Sequence, residues 1–498
     1  MSAKEGRILS LDFKLREGNP LRVKSGVLVL ASFEGDGLMN IVKKVDEALG
    51  GSLSRISQEE RFNGELGKCV MLNTLGRIGS DRVLLVGLGK KERFSPDVLR
   101  KAGILTAKKT KPYTGSISIG IDIGGHNGNT SALIEGFMLG SYEFDKYKTG
   151  NKKENSNRVI ELFSNKIGER GFKRELEFAR IISEATNFAR DLVNEPPAII
   201  TPTKLADIAE EIAEKEKLGC EIFDKKDMEE MGMGALLAVS TGSDEPPKFI
   251  HLTYEPRRRP SKTVAIVGKG ITFDSGGLCI KPRDNMRTMK MDMSGAAVVL
   301  AVMKAVSSLK PSVRVHGLIS ATENMPGGKA YKPDDIIRAL NGKTIEVIDT
   351  DAEGRIVLSD ALSYAVRLKV DEIVDLATLT GACMVALGGY TAGIMGNDER
   401  LINKVIKASR LAGEKVWQLP LDDELRKDIE SDIADVKNVG GRWGGAITAA
   451  MFLEKFVGDT PWVHLDIAGP AFNEKGGDLY PKGATGFGVR TMIRYILD

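Results

Sequence analysis

The chain has 498 residues, 42% of them hydrophobic and 28% charged, with 71 basic against 68 acidic side chains. That length exceeds one ordinary core and predicts two domains, and the composition is that of a soluble globular protein. A net charge of +3 is too small to demand nucleic acid or an anionic membrane as partner, although a local basic patch stays open.

Cys69, Cys220, Cys279 and Cys383 form no CxxC pair, which predicts a reduced, cytoplasmic protein. The start, MSAKEGRILSLDFKL, lacks a long apolar run and a small-residue cleavage site, and apolar stretches such as Gly295 to Met303 fall well short of a membrane span. The histidines, at 126, 251, 316 and 464, make no HExxH and no helical pair, so a metal site would rely mainly on carboxylates.

In the first part of the chain, Gly26 to Ser32, Arg82 to Gly87 and Ser116 to Ile123 read as strands alternating with helical segments. Gly87-Leu88-Gly89-Lys90 lacks the third glycine of a dinucleotide loop and reads as a solvated turn. Tyr142 to Ser156 is polar and Lys-rich, an exposed connector near a domain boundary. An amphipathic helix from about Arg174 to Leu192 leads onward and ends at Asn194-Glu195-Pro196-Pro197. Thr201-Pro202 then opens another helix as N-cap and first turn. Further strands are predicted at Thr263 to Gly268, Val313 to Ser320, Ile345 to Ile348, Ile373 to Ala377 and Trp462 to Ile467, with helices at Ser294 to Leu309 and Ile356 to Leu368. The fold class is therefore α/β: two domains, each a mainly parallel or mixed sheet flanked by helices, joined by a helix. The boundaries are set at 1–165, 166–195 for the connecting helix, and 196–498.

Two stretches carry chemistry. After the apolar run ending at Ile348 comes DTDAEGR, where extended backbone would point Asp349, Asp351 and Glu353 the same way. Crowded carboxylates repel one another, and a hard divalent cation would relieve this; a solvated acidic turn before a helix is the other reading. The second stretch, GKGITFDSGGLCIKP, puts Lys269, Asp274 and Lys281 just past an apolar strand, with Asp292 heading the next helix. A Gly-rich surface turn explains this less well than a cation site, where a lysine next to a dication loses its proton and can ligate.

The segments GKGITFDSGG, KP, MKMD, DTDAEGR and DLATLTGA resemble the signature segments of the cytosolic leucyl aminopeptidase family of two-metal exopeptidases. So do DLVNEPP, GAITAAMFLEKF, WVHLDIAG and KGATGFGV, and the likeness runs from about Arg190 to the C-terminus. The resemblance implies an enzyme that releases N-terminal amino acids, leucine and others, from peptides by attack of a metal-activated water, with a role in peptide turnover. It implies two divalent ions per subunit, manganese or zinc ahead of cobalt or magnesium, with Asp274 and Glu353 bridging. Lys269 and Asp292 would complete one site and Asp351 the other. Lys281 and Arg355 would be catalytic, Lys281 as a cation beside the developing oxyanion and Arg355 holding a bicarbonate. Met289, Asp349, Thr378, Leu379 and Gly381 would contact substrate, and the assembly would be a homohexamer.

The family usually has asparagine at the position of Asp349; the extra charge would either alter metal affinity and favour a basic side chain, or be neutralised by a nearby lysine. His464 is expected satisfied in a strand and Cys279 as packing. A two-metal phosphoesterase and a DNA-binding role, found in some relatives, are the competing functions, the latter little supported by the near-neutral charge.

Overall fold

The computed structural model describes residues 11–35, 40–121, 128–149, 157–164 and 167–498. His126, the end of the strand predicted at Ser116 to Ile123 and residues 150–156 of the predicted connector lie outside the described residues. The chain divides into two compact units, Met1–Glu184 with Gly476–Pro481, and Ala185–Lys475 with Lys482–Asp498. The division falls inside the helix Glu169–Asn194, longer at both ends than its amphipathic pattern predicts.

In the first unit the strands are β1 (Leu11–Arg16), β2 (Val27–Ser32), β3 (Cys69–Asn73), β4 (Arg82–Gly87), β5 (Ile117–Ile119) and β6 (Arg158–Phe163). They form one sheet in the order β1-β6-β5-β2-β4-β3, parallel except for the β3–β4 pair. The unbroken apolar run of β2 is explained by cover on both faces. Val27 and Val29 pack with Leu99, Leu133 and Phe137 from the helices Pro96–Thr110 and Asn129–Gly140. Leu28 and Leu30 turn the other way, toward Val42, Val45 and Leu53 of the helices Asn40–Ala48 and Ser52–Glu59.

The second unit contains β7 (Gly219–Phe223), β8 (Lys248–Tyr254), β9 (Thr263–Asp274), β10 (Arg314–Asn324), β11 (Ile336–Arg338), β12 (Thr344–Glu346), β13 (Glu372–Ala377), β14 (Thr391–Gly396), β15 (Lys415–Gln418), β16 (Val436–Lys437) and β17 (Trp462–Asp466). Its main sheet runs β15-β14-β17-β13-β9-β10-β8-β7, and the four central strands β17, β13, β9 and β10 are mutually parallel. Helix Glu353–Arg367 covers one face, its Ile356, Val357 and Ala361 packing with Ala265 and Val267 of β9 and Leu318 of β10. The helix Ser294–Leu309 packs against β9, β10 and β13 and is buried on nearly every side. With the turn before it, Met289–Leu309 is long and apolar enough to cross a membrane by length and composition, contrary to the sequence expectation, but most of it is buried in this unit.

One strand assignment is corrected. The apolar run before DTDAEGR does not extend the main sheet; its strand is the short β12, in a separate three-stranded sheet β11-β12-β16. Hydrophobicity signalled burial of Ile345 and Val347 correctly, but burial does not say which strand is the neighbour.

Candidate metal centre

In the main sheet the chain runs from β9 to its neighbour β10 and then returns across β9 to β13 on the other side, so the strand order reverses at β9. The crevice beyond the carboxyl ends of such strands is where an open α/β sheet binds ligands. Asp274 and Asn324 end β9 and β10, Thr378 follows β13, and Asp466 ends β17.

Lys269 and Asp274 are an odd number of residues apart, which in a regular strand would send them to opposite faces. The register against β10 slips between the pairs Thr322–Ile271 and Asn324–Asp274, a bulge of the kind that re-aims a side chain. Lys269 Nζ lies 2.7 Å from Asp292 Oδ2 and 2.8 Å from Glu353 Oε1, all three buried, and it donates to the Thr378 carbonyl at 3.2 Å. Lys281 Nζ lies 2.8 Å from Asp274 Oδ2 and 2.5 Å from Asp351 Oδ1. One carboxylate oxygen each from Asp274, Asp351 and Glu353 falls within 4.8 Å of the others.

The DTDAEGR segment is not extended. Thr350–Ala352 is a 3-10 turn and Glu353 already begins the helix, so turn geometry brings Asp351 and Glu353 together. Asp349 instead caps the turn, its Oδ1 accepting from Asp351 N at 2.8 Å, and no described lysine lies within ion-pair distance of it.

Electrostatically the cluster is under-neutralised. Fully ionised, Asp274, Asp292, Asp351 and Glu353 would carry four negative charges against two on Lys269 and Lys281, which would leave two over. Burial, then the neighbouring Asp274, push Asp351 up to about 7 and Glu353 above its ordinary range. Burial raises Asp292 well above that range too, against the pull of Lys269. Burial alone would lower both lysines, but Asp292 and Glu353 outweigh it at Lys269, and Asp274 and Glu353 at Lys281, so both are raised.

The donor set fits a divalent cation. It is oxygen-rich, the ionised carboxylates outnumber the lysines by two, and several buried acceptor oxygens lack a hydrogen bond: Asp292 Oδ2, Asn324 Oδ1, Asp351 Oδ1 and Glu353 Oε1. The first, third and fourth of these lie within ion-pair reach of a lysine, though without hydrogen-bond geometry.

Several neutral groups hold the cluster in place. The Asn324 amide donates to Asp274 Oδ1 at 2.8 Å, to the Thr350 carbonyl at 3.0 Å and to Glu353 Oε2 at 3.4 Å. Thr350 Oγ1 donates to the Gly276 carbonyl and accepts from Cys279 N, tying the two loops together. Gly276, at φ +87°, could not carry a side chain: a Cβ would lie 2.4 Å from the Cys279 carbonyl oxygen and 2.7 Å from Asp351 Oδ1. Thr350 lies inside the DTDAEGR stretch and Gly276 inside GKGITFDSGG, where its glycine already implied positive φ; Asn324 had no sequence signal.

A family model described as "Cytosol aminopeptidase family, catalytic domain" matches residues 187–493, and one for that family's N-terminal domain matches residues 29–151. The chain belongs to the cytosol aminopeptidase family. It is accordingly a metal-dependent aminopeptidase, a hydrolase acting on peptides. It is 48% identical to a probable cytosol aminopeptidase of Aquifex aeolicus over 94% of this chain and 95% of the relative, and 46% identical to one of Persephonella marina over 98% and 100%. Among solved structures, a tomato leucine aminopeptidase variant superposes with TM-score 0.90 at 34% identity, covering 100% of this chain and 98% of the other. The bottromycin maturation enzyme BotP in complex with Mn gives TM-score 0.83 at 35% identity, covering 95% and 99%.

The other residues singled out in this aminopeptidase sequence are spread around the cluster. Arg355, in the first turn of its helix, donates from Nη1 to the Asn438 carbonyl at 2.7 Å. Burial lowers it to about 10, against Glu353, Asp466 and Asp349, so it stays cationic at neutral pH. Thr378 Oγ1 donates to Asp292 Oδ1 at 2.8 Å, Leu379 N donates to Asp466 Oδ1, and exposed Gly381 begins a helix. Met289 opens the 3-10 turn that carries Asp292. His464 is buried in β17 with Nδ1 2.6 Å from Asp375 Oδ1, and Cys279 is partly buried.

Proposed function

We propose that this aminopeptidase works with two divalent ions per subunit, held by Lys269, Asp274, Asp292, Asp351 and Glu353, with Asp274 and Glu353 shared between them. The observation that carries this reading is the convergence of three carboxylate oxygens within 4.8 Å, between two lysines too few to neutralise the cluster. When bound, such ions polarise the scissile carbonyl and acidify a shared water.

The protein's own groups do the rest. Lys281, pinned between Asp274 and Asp351, presents a fixed positive charge where the carbonyl oxygen becomes an oxyanion. Arg355 cannot serve as a base, because it keeps its proton at neutral pH. Its guanidinium is tied at Nη1 and has no hydrogen bond at Nε, which suits it to hold a planar bicarbonate that relays protons. Thr378 steadies Asp292, while Met289, Asp349, Leu379 and Gly381 bound the space for substrate. An apolar pocket gives modest discrimination, so leucine would be one of several residues released.

Manganese and zinc are the first candidates for the ions, with cobalt and magnesium next; BotP was solved with Mn. The names of the relatives support a cytoplasmic location and peptide turnover. A homohexamer and domain limits of 1–165, 166–195 and 196–498 complete the proposal.

Release of leucine from Leu-p-nitroanilide, together with metal content by mass spectrometry, tests the core of it. Asp351→Ala and Glu353→Ala should abolish release and lower metal content while the protein stays folded. Full activity in both variants rejects the reading.

A further inference from the structure

Beside the metal centre lies a cavity of about 640 Å³ lined by Phe273, Lys281, Arg283, Asp284, Met286 and Arg287. Lys281 belongs to both places: its ammonium contacts Asp274 and Asp351 while its side chain forms part of the cavity wall. Arg283 and Arg287 are exposed, on and just after the short helix Arg283–Met286, and no described carboxylate lies within ion-pair distance of either. With Lys281 engaged by its own carboxylates, the free charge of the lining is two guanidiniums against the single carboxylate of Asp284. Phe273 and Met286 add apolar wall.

We propose that this cavity binds a carboxylate of the peptide substrate, so that the enzyme favours acidic peptides over neutral ones of the same shape. The proposal rests on the reading above that sets Lys281 next to the reacting carbonyl, which puts the cavity that Lys281 also lines beside the bound peptide. Guanidinium forks match carboxylate geometry, and the aliphatic stem of an acidic side chain would lie along Phe273 and Met286. The carboxylate has two possible sources, the side chain of the N-terminal residue or a group downstream such as the peptide C-terminus.

Two matched pairs separate them, assayed on the full chain with manganese: Glu- against Gln-p-nitroanilide, and Leu-Gly-Gly as free acid against its amide. The acidic member of one pair should show kcat/KM roughly two- to fivefold higher, the range of guanidinium–carboxylate pairing at an exposed site. The ratio should fall toward one in the double variant Arg283→Gln, Arg287→Gln, drop below one in Arg283→Glu, Arg287→Glu, and shrink with added salt. The pair that responds identifies the source. Neither pair showing an acid preference, or a preference that survives both double variants, overturns the proposal. A wild-type enzyme that cleaves Leu-p-nitroanilide yet shows no preference defeats this inference alone. One that releases nothing from any substrate defeats the aminopeptidase reading.

Discussion

Gly354 sits directly under the Lys269 side chain: a Cβ at Gly354 would lie 2.5 Å from Lys269 Nζ and 2.6 Å from its Cε. The first turn of the helix Glu353–Arg367 thus leaves open the track along which the lysine reaches Asp292 and Glu353. Two effects of Gly354→Ala oppose each other. Alanine favours the helix by about 1 kcal/mol, but the methyl group must push a buried lysine away from its two carboxylates. The expected outcome is a melting temperature within a few degrees of wild type, with metal content and kcat both reduced. Thermal melts beside metal analysis check it; unchanged activity would mean that Lys269 has room to move.

Asn324 offers a second lever. Its amide reaches both Asp274 and Glu353, the two carboxylates proposed to be shared by the ions, and it also anchors the Thr350 carbonyl. Groups that orient metal ligands from behind typically cost about 10- to 100-fold in affinity or activity when removed. Asn324→Ala should therefore lower metal affinity by roughly that factor, read as the manganese concentration needed for half activity. Saturating metal should recover part of kcat, because the carboxylates themselves remain.

Features set by the local chain are legible in the sequence; those set by distant partners are not. The helix Ser294–Leu309 and the strands β4 and β13 were legible because period and length are local properties of the chain. The acidic cluster was legible because its members lie in dense, unusual stretches. The bulge that turns Asp274, the capping role of Asp349 and the side sheet holding β12 were not, since each depends on a partner chosen by tertiary packing. Asn324 and Asn438 escaped for the same reason. A neutral amide carries no charge pattern, and Asn438 meets its partners across some ninety residues of chain.

A pH dependence of stability is expected away from the metal centre. Glu372 begins β13 and receives Lys262 Nζ at 2.5 Å, Lys404 Nζ at 2.6 Å and the Tyr495 hydroxyl at 2.5 Å. Burial alone would raise its pKa, but these three donors outweigh burial and hold it at about 2. Because the folded value is depressed, the stabilisation is present above the unfolded value near 4.5 and is lost as pH falls toward 2. Its size is on the order of 2 kcal/mol, reduced from the full shift because both lysines are partly exposed. In denaturant titrations at pH 7, Glu372→Gln should be less stable by about that amount, and the gap should close as pH drops from 5 to 2. A gap that stays constant over that range would show that the ion pairs are not its source.

Asn438 links the metal-bearing loop to Arg355 from a segment with no chemistry of its own. It is fully buried, and each of its hydrogen-bonding groups is used. Its Oδ1 accepts from Ile348 N at 2.7 Å, its Nδ2 donates to the Asp349 carbonyl at 2.7 Å, and its main-chain carbonyl holds Arg355. Its main-chain N donates to the Glu346 carbonyl, continuing the pairing of β12 with β16. Asn438→Ala would strip partners from the backbone just ahead of Asp351, at about 1–3 kcal/mol for each buried group left unpaired. Asn438→Asp keeps an acceptor for Ile348 N but sets a carboxylate oxygen against the Asp349 carbonyl, so it should fail to rescue. Both variants should lose stability and kcat together, because the loop that loosens carries Asp351 and Glu353. In an Arg355→Ala background the stability loss should persist in full, since the clamp on Ile348 and Asp349 does not pass through the guanidinium. Equilibrium unfolding of the single and double variants, read beside kcat on Leu-p-nitroanilide, checks both expectations; normal kcat in a destabilised Asn438→Ala would separate the clamp from the chemistry.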